Sequence, residues 1–359
     1  MSQHWLYSRE AVSLTNDEIG DMSEIDAEER FASIRWAEHG GRPQCPHCLD
    51  PTTIYVCRRP HPERPTGASR YRCKACGKDF SVTSGTPLAW HKKSFKQMLF
   101  AILAFVNEVK GKAALAMRRE VRGHYKTRWV FNHKLRAAIW QETAHLRMGP
   151  PALGGPGKVV VIDGVRVGGS FRKPNKRDRR VDRRLKENRS DKIRWIVTIR
   201  ERLRKGDRKH GVSIARAFKK EAEAIPWLLS RIVPGTTVHT DQSTDWSDLQ
   251  ARFIWRSVNH SRMYSANGVS TNAVEWLFNR LRRGVRGHYH RIIGDYFDRH
   301  GRKIGDYLAR YGQEFAWRDD HRRVPNGDQV DKIIGWVIRT PRSPDSFCGY
   351  WQRHKRPKV

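Results

Sequence analysis

Three carboxylates stand in separate, differently built segments of this 359-residue chain: Asp163 in KVVVIDG, Asp241 in TVHTDQS and Glu275 in TNAVEWLFNRLRR. The first two close short β-branched runs. The third lies on a helical pattern with Arg282 seven residues further on, almost two turns, so Glu275 and Arg282 share a face. Brought together, such acids repel by about 4 kcal/mol per pair at about 4 Å and an effective dielectric of about 20. A divalent cation removes that cost. Strand-end acids followed by a helix acid suit two-metal phosphoryl chemistry, in which the ions activate an attacking oxygen and stabilise a leaving one.

These acids need strands and a helix to hold them. Residues 148–158, MGPPALGGPGK, form a Pro/Gly-rich break and the clearest boundary in the chain. Beyond it, strands are expected at 158–163, 194–201, 236–240 and 253–258, and helices at 213–231, 244–251, 270–283 and 303–313, which makes a mixed α/β domain. Trp276, Leu277, Leu281 and Trp317 read as its core. Before the break, residues 14–30 are acidic and helix-prone, with Thr15 or Asn16 as a cap, and FASIRWAEH makes a second helix.

Four of the six cysteines form two CxxC pairs, Cys45 with Cys48 and Cys73 with Cys76, with 24 residues between the pairs. Four thiolates at this spacing meet the tetrahedral demand of structural zinc, so a zinc ribbon is expected. His47 reads as exposed rather than ligating, Cys57 as a buried strand residue, and Cys348 stands alone. Residues 94–145 then carry three helices with Gly123 between the second and third, the pattern of a helix-turn-helix with a recognition helix starting near His124. Arg118, Arg119, Lys126 and Arg128 are its expected DNA contacts, beside Lys110, Lys112, Arg122 and Lys134.

Lysine and arginine number 70 against 37 acids, a formal net charge of +33. Such a charge points to a polyanion as partner. No run of 18 or more apolar residues and no basic leader with an apolar stretch is present, which disfavours a membrane and gives the expectation of a cytoplasmic, nucleoid-associated bacterial protein. Residues 172–209 hold 18 Lys or Arg and 6 acids. Arg177, Arg179, Arg180, Arg183 and Arg184 within them are expected to meet phosphate.

In combination these residues carry a family resemblance. The order Asp163, Asp241, Glu275, with 33 residues between the last two, resembles that of the DDE transposases of bacterial insertion sequences. More narrowly, the phrases RWAEHGGRPQCPHC, YRCKACGKDFSVTSGT, HTD, VNHS, TNAVE, RGHYH and EFAWR resemble the ISXO-type group over roughly residues 15–320. The resemblance implies a ribonuclease H-like mixed-sheet catalytic domain preceded by a zinc ribbon and a helical DNA-binding region. It implies Mg2+ or Mn2+ held by Asp163, Asp241 and Glu275, hydrolysis of a phosphodiester at the element end, and strand transfer of the freed 3′-hydroxyl into target DNA. Terminal inverted repeats and target DNA are the implied partners, and a homodimer or larger synaptic complex the implied assembly.

The expected organisation is a helical segment (1–41), the ribbon (42–90), the helix-turn-helix-like region (91–147), a linker (148–158), the ribonuclease H-like domain (159–323) and a basic tail (324–359). Asn259, His260, Asn272, Asn279, Arg282 and His290 are candidate supporting residues, Asn272 and Asn279 being rivals of Glu275 for the third position. The family usually has an acid after its first aspartate, where this chain has Gly164. That departure favours a second reading, a non-catalytic zinc-ribbon DNA-binding protein, and the same fold leaves a third, a structure-specific ribonuclease H-like nuclease.

Overall fold

Thr15 and Ser23 open the first two helices of the computed structural model, α1 (Asn16–Asp21) and α2 (Glu24–Arg35). Each forms a capping box: its hydroxyl accepts from the N–H three residues on, and the acid there, Glu18 or Asp26, accepts from the cap's own N–H. The structure describes residues 4–49, 53–58, 69–168, 193–202, 211–259, 265, 268–289, 292, 295–297 and 303–340. The chain divides into two units, Met1–Glu142 with Arg323–Val359, and Thr143–Arg322.

In the first unit, β1 (Ile54–Arg58), β2 (Arg70–Cys73) and β3 (Asp79–Phe80) form an antiparallel three-stranded sheet. Helices α3 (Phe95–Val106), α4 (Ala114–Glu120) and α5 (Tyr125–Glu142) follow. Residues 324–359, expected as a basic tail, instead contain a helix, Asn326–Arg339, that packs against α2, α3 and α5. Val330, Ile333, Ile334 and Val337 explain it: they recur at helical spacing and all four are fully buried. At its start Asn326 accepts from the N–H groups of Ser13 and Leu14 at 2.8 and 3.0 Å and donates to the Leu14 carbonyl at 2.7 Å.

The boundary between units falls at residues 142 and 143 rather than within 148–158. The Pro/Gly-rich stretch is built into the second unit: α6 (Ala144–Met148) leads to β4 (Leu153–Gly154), which pairs in parallel with a short strand at Ile232–Val233. The central sheet runs through β5 (Val159–Gly168), β6 (Ile193–Glu201) and β7 (Val212–Phe218), antiparallel in sequence, and continues on the other side of β5. After α7 (Ile225–Arg231) and β8, the Ile232–Val233 strand, come β9 (Thr237–Asp241), parallel to β5, and β10 (Ile254–Val258), parallel to β9. The strand order is β10-β9-β5-β6-β7, a mixed α/β sheet of the ribonuclease H-like kind. Residues 244–251 form a 3-10 helix, and α8 (Asn272–Gly284) and α9 (Tyr307–Asp320) complete the layer.

Two expectations of secondary structure change. Residues 213–231, rich in Ala, Lys and Glu, were expected as one helix, yet β7 occupies their first part because pairing with β6 overrides helix propensity. The expected helix at 303–313 begins at Tyr307, and Lys303–Asp306 is a strand.

Strand β7 ends the sheet, and α9 covers its outer edge with side chains. Gln313 accepts from the Ala215 N–H at 2.9 Å and donates to the Ser213 carbonyl at 3.0 Å, while Asp320 accepts from the Ser213 N–H and hydroxyl, both at 2.7 Å. Asp319, buried beside it, pairs with Arg200 of β6 and Arg280 of α8, and Arg200 also donates to the Ala273 carbonyl at 3.3 Å. This network fastens the N-terminal turn of α8 to the sheet.

Candidate functional site

Alternation along β5 sorts its side chains between two faces. Val160 and Ile162 enter one core with Val197, Ile199, Val238 and Trp246. Val161, Val165 and Val167 enter the other with Val274, Leu277, Phe278 and Leu281 of α8. Asp163 belongs to the second series, so it faces the helix that carries Glu275. It lies in mid-strand rather than at the strand end, because Val165 and Val167 continue the buried alternation to Gly168.

The β5–β9 ladder pairs Val159 with Thr237, Val160 with Val238 and Val161 with His239. Carried on by two residues, this register sets Asp163 level with Asp241. Each acid accepts a hydrogen bond that orients it: Asp163 from the Gly164 N–H at 2.7 Å, Asp241 from the Trp246 indole at 2.7 Å, and Glu275 from the Thr271 hydroxyl at 2.9 Å. Burial and then the Asp241 charge push the Asp163 carboxyl from 3.8 up to about 7, with Glu275 adding to the rise and the Gly164 N–H and Arg282 opposing it. Arg282, exposed on α8, therefore stands within electrostatic reach of the first acid, as its spacing suggested.

A fourth acid joins them. Glu221, which follows β7, has its carboxyl pushed from 4.5 to about 8 by burial and then by Asp241, Asp163 and Asp245. Asn259 follows Val258, the residue paired with Asp241, and so stands one step past the second acid. Asn272 opens α8 and Asn279 lies exposed one turn after Glu275. Trp276, expected in the core, is 63 % exposed, since Val274, Leu277, Phe278 and Leu281 already fill the buried stripe of α8. His260, His290, Arg177, Arg179, Arg180, Arg183, Arg184 and Cys348 lie outside the described residues.

In the first unit, the thiols of Cys45, Cys48, Cys73 and Cys76 all lie within 4.8 Å of one another. Cys45 to Cys76 is 3.6 Å and Cys48 to Cys73 is 3.5 Å, near the sulfur separation of about 3.8 Å that a tetrahedral zinc with bonds of about 2.3 Å requires. The two knuckles are built alike: the N–H of Leu49 reaches the Cys45 carbonyl, and that of Gly77 the Cys73 carbonyl, both at 2.9 Å and both with φ in the left-handed region. The backbone N–H of Cys76, aimed at the Cys73 sulfur, draws that thiol down to about 7, towards the thiolate a metal binds. His47 is exposed, as expected. Cys57 is exposed too, on β1 of a sheet too small to bury both faces, and its thiol meets the Arg70 carbonyl at 3.3 Å.

Helices α4 and α5 are joined by a tight turn in which Gly123 has φ +155. Arg118, Arg119 and Lys126 are exposed on them. Arg128 departs from that set: it is 1 % exposed, and its guanidinium donates to the Arg122 carbonyl, bracing the turn from inside. Lys112 is also buried and is paired with Glu108 and Glu120.

Comparison with known families gives two matches. Residues 153–320 match the ISXO2-like transposase domain, and residues 22–79 match the transposase zinc-ribbon domain. Together they cover more than half of the chain. The chain belongs to the ISXO2-like transposases. No curated protein shows significant similarity to it. The zinc-ribbon match of this transposase begins in α2, and the structure gives a reason: Glu28 of α2 accepts from the Ser69 N–H at 2.8 Å, and Trp36 packs edge-on to Tyr71 of β2 at 5.4 Å. Its four thiols are the donor set of structural zinc.

The acids of the transposase domain fit a different ion. All offer oxygen, as Mg2+ and Mn2+ prefer, and they form an acidic cluster in a chain of net charge +33. Among the described residues only the cysteines reach the 4.8 Å mutual spacing, so the carboxylates are more widely set than the thiols. Glu221, Trp246 and Thr271 were not among the residues expected from the sequence. Nothing local marks Glu221, whereas Thr271 has a faint signal, a hydroxyl four residues before Glu275 on the same helical face.

Proposed function

We propose that the protein is a DNA transposase that hydrolyses phosphodiesters at the ends of its element and transfers the freed strand into target DNA. The observation that carries this reading is the convergence of Asp163 and Asp241, level on adjacent parallel strands, with Glu275 on the helix covering the same face, inside a transposase domain. Asp163, Asp241 and Glu275 would hold Mg2+ or Mn2+, which when bound supplies charge for in-line displacement at phosphorus. The indole of Trp246 and the hydroxyl of Thr271 hold two of these acids in orientation, and Arg282 beside them meets the phosphate backbone. Arg118, Arg119 and Lys126 supply DNA contacts, with the inverted repeats and target DNA as partners and a dimer or larger synaptic complex as the working assembly. No helix among the described residues is long and apolar enough to cross a membrane.

Asp163→Asn and Asp241→Asn test the reading. Each removes a charge while keeping shape, so Mg2+-dependent cleavage of element ends is expected to fall at least about 100-fold with DNA affinity nearly unchanged. Unchanged cleavage in both variants overturns it.

A further inference from the structure

Gly164 and Glu221 fit one another as a hole fits a peg. A Cβ built on Gly164 would lie 1.8 Å from Oε1 of Glu221, 2.7 Å from its Cδ and 3.3 Å from its Cγ, so the glutamate carboxylate fills the space in which any side chain at 164 would begin. Gly164 faces the side of β5 shared with Val160 and Ile162, opposite to Asp163. Glu221 therefore lies on the face of β5 opposite to Asp163, still close enough to feel the charges of Asp241 and Asp163.

The carboxylate has no structural employment to explain it. Glu221 precedes the 3-10 helix Ala222–Ala224 but makes no capping hydrogen bond with its side chain. Among the described residues no hydrogen bond or ion pair to that carboxylate is found, and the charges acting on it are those of Asp241, Asp163 and Asp245. A half-buried acid with only like charges for company is costly unless a cation joins it. We propose that Glu221 is a fourth acidic group of the divalent-metal centre, supplied from the β7–α7 connection into the gap that Gly164 leaves in β5. This rests on the reading of Asp163, Asp241 and Glu275 as a metal centre. It answers the doubt raised by Gly164, because the acid missing from the strand arrives from a neighbouring segment.

The test measures Mn2+ binding to the zinc-loaded full-length chain by titration calorimetry, with folding followed by circular dichroism. Glu221→Gln is expected to weaken Mn2+ binding by about tenfold or more. Gly164→Ala, which displaces the carboxylate without altering any acid, is expected to do the same. Moving the acid back to the strand, in the double variant G164D/E221A, is expected to recover affinity relative to E221A alone. Asp163→Asn separates the two levels of the argument. Loss of Mn2+ binding in D163N with normal binding in folded E221Q and G164A overturns the role of Glu221 alone. Normal binding in D163N overturns the metal centre, and the fourth acid with it.

Discussion

At Asp163 the protein stores electrostatic stress that a proton or a metal relieves. Its carboxyl is raised from 3.8 to about 7 and that of Glu221 from 4.5 to about 8, so both bind a proton more tightly folded than unfolded. A raised acid contributes stability that is complete below the unfolded value and is lost as pH climbs through the folded one. The metal-free protein is therefore expected to lose stability as pH rises from about 4 to about 8, with Asp163→Asn flattening that slope and Mg2+ stabilising more at the alkaline end. Thermal melts across pH with and without Mg2+ check this, and a pH-independent melting temperature contradicts it. Asp163 was legible because four aliphatic residues lead into it, and Asp241 because it ends an apolar strand. Glu221 was not, since its proximity to Asp163 exists only after β6 and β7 have paired. Arg128 misled for the opposite reason: composition does not distinguish a guanidinium in solvent from one turned inward on a carbonyl.

At the level of elements, α8 is placed by two independent devices. Its apolar stripe, Val274, Leu277, Phe278 and Leu281, meets the Val161 side of β5, and the stripe is plain in the sequence. Its first turn is tied down by the Arg200–Asp319–Arg280 cluster, which is not, because the three residues lie on β6, α9 and α8. Removing Asp319 takes away the acid shared by Arg200, Arg280 and Arg322, and Asp319→Ala is expected to cost about 3 kcal/mol or more in chemical denaturation. Because Arg200 also holds the Ala273 carbonyl, two residues before Glu275, cleavage should fall further than the stability loss alone predicts. A loss below about 1 kcal/mol would show that the cluster is only ornamental. The misassigned stretch at 213–231 teaches the same lesson: residues favouring a helix become an edge strand once a partner strand and a covering helix are available.

Across the whole molecule, a chain of net charge +33 carries a cluster of acids, Asp163, Asp241, Glu275 and Glu221, in one unit. Under the proposed function the basic excess serves DNA binding and the acids serve chemistry. Replacing Arg118, Arg119 and Lys126 together by alanine is expected to lower the steepness of log affinity against log salt by about 2–3 for duplex DNA, about 0.9 for each lost phosphate contact. An unchanged slope in fluorescence anisotropy titrations removes α4 and α5 from the DNA-contacting surface. The division into two units follows the sequence only in part. The ribbon was legible from its cysteines, but the return of residues 326–339 to the first unit depends on Asn326 meeting Ser13 and Leu14 across more than 300 positions.

The sealed margin of the sheet has one more consequence. With the outward N–H groups of Ser213 and Ala215 already taken by Asp320 and Gln313, the first half of β7 offers no free N–H to an incoming strand. A strand from a second copy that approached this stretch would find its donors already spent, which guards the border against sheet-to-sheet growth.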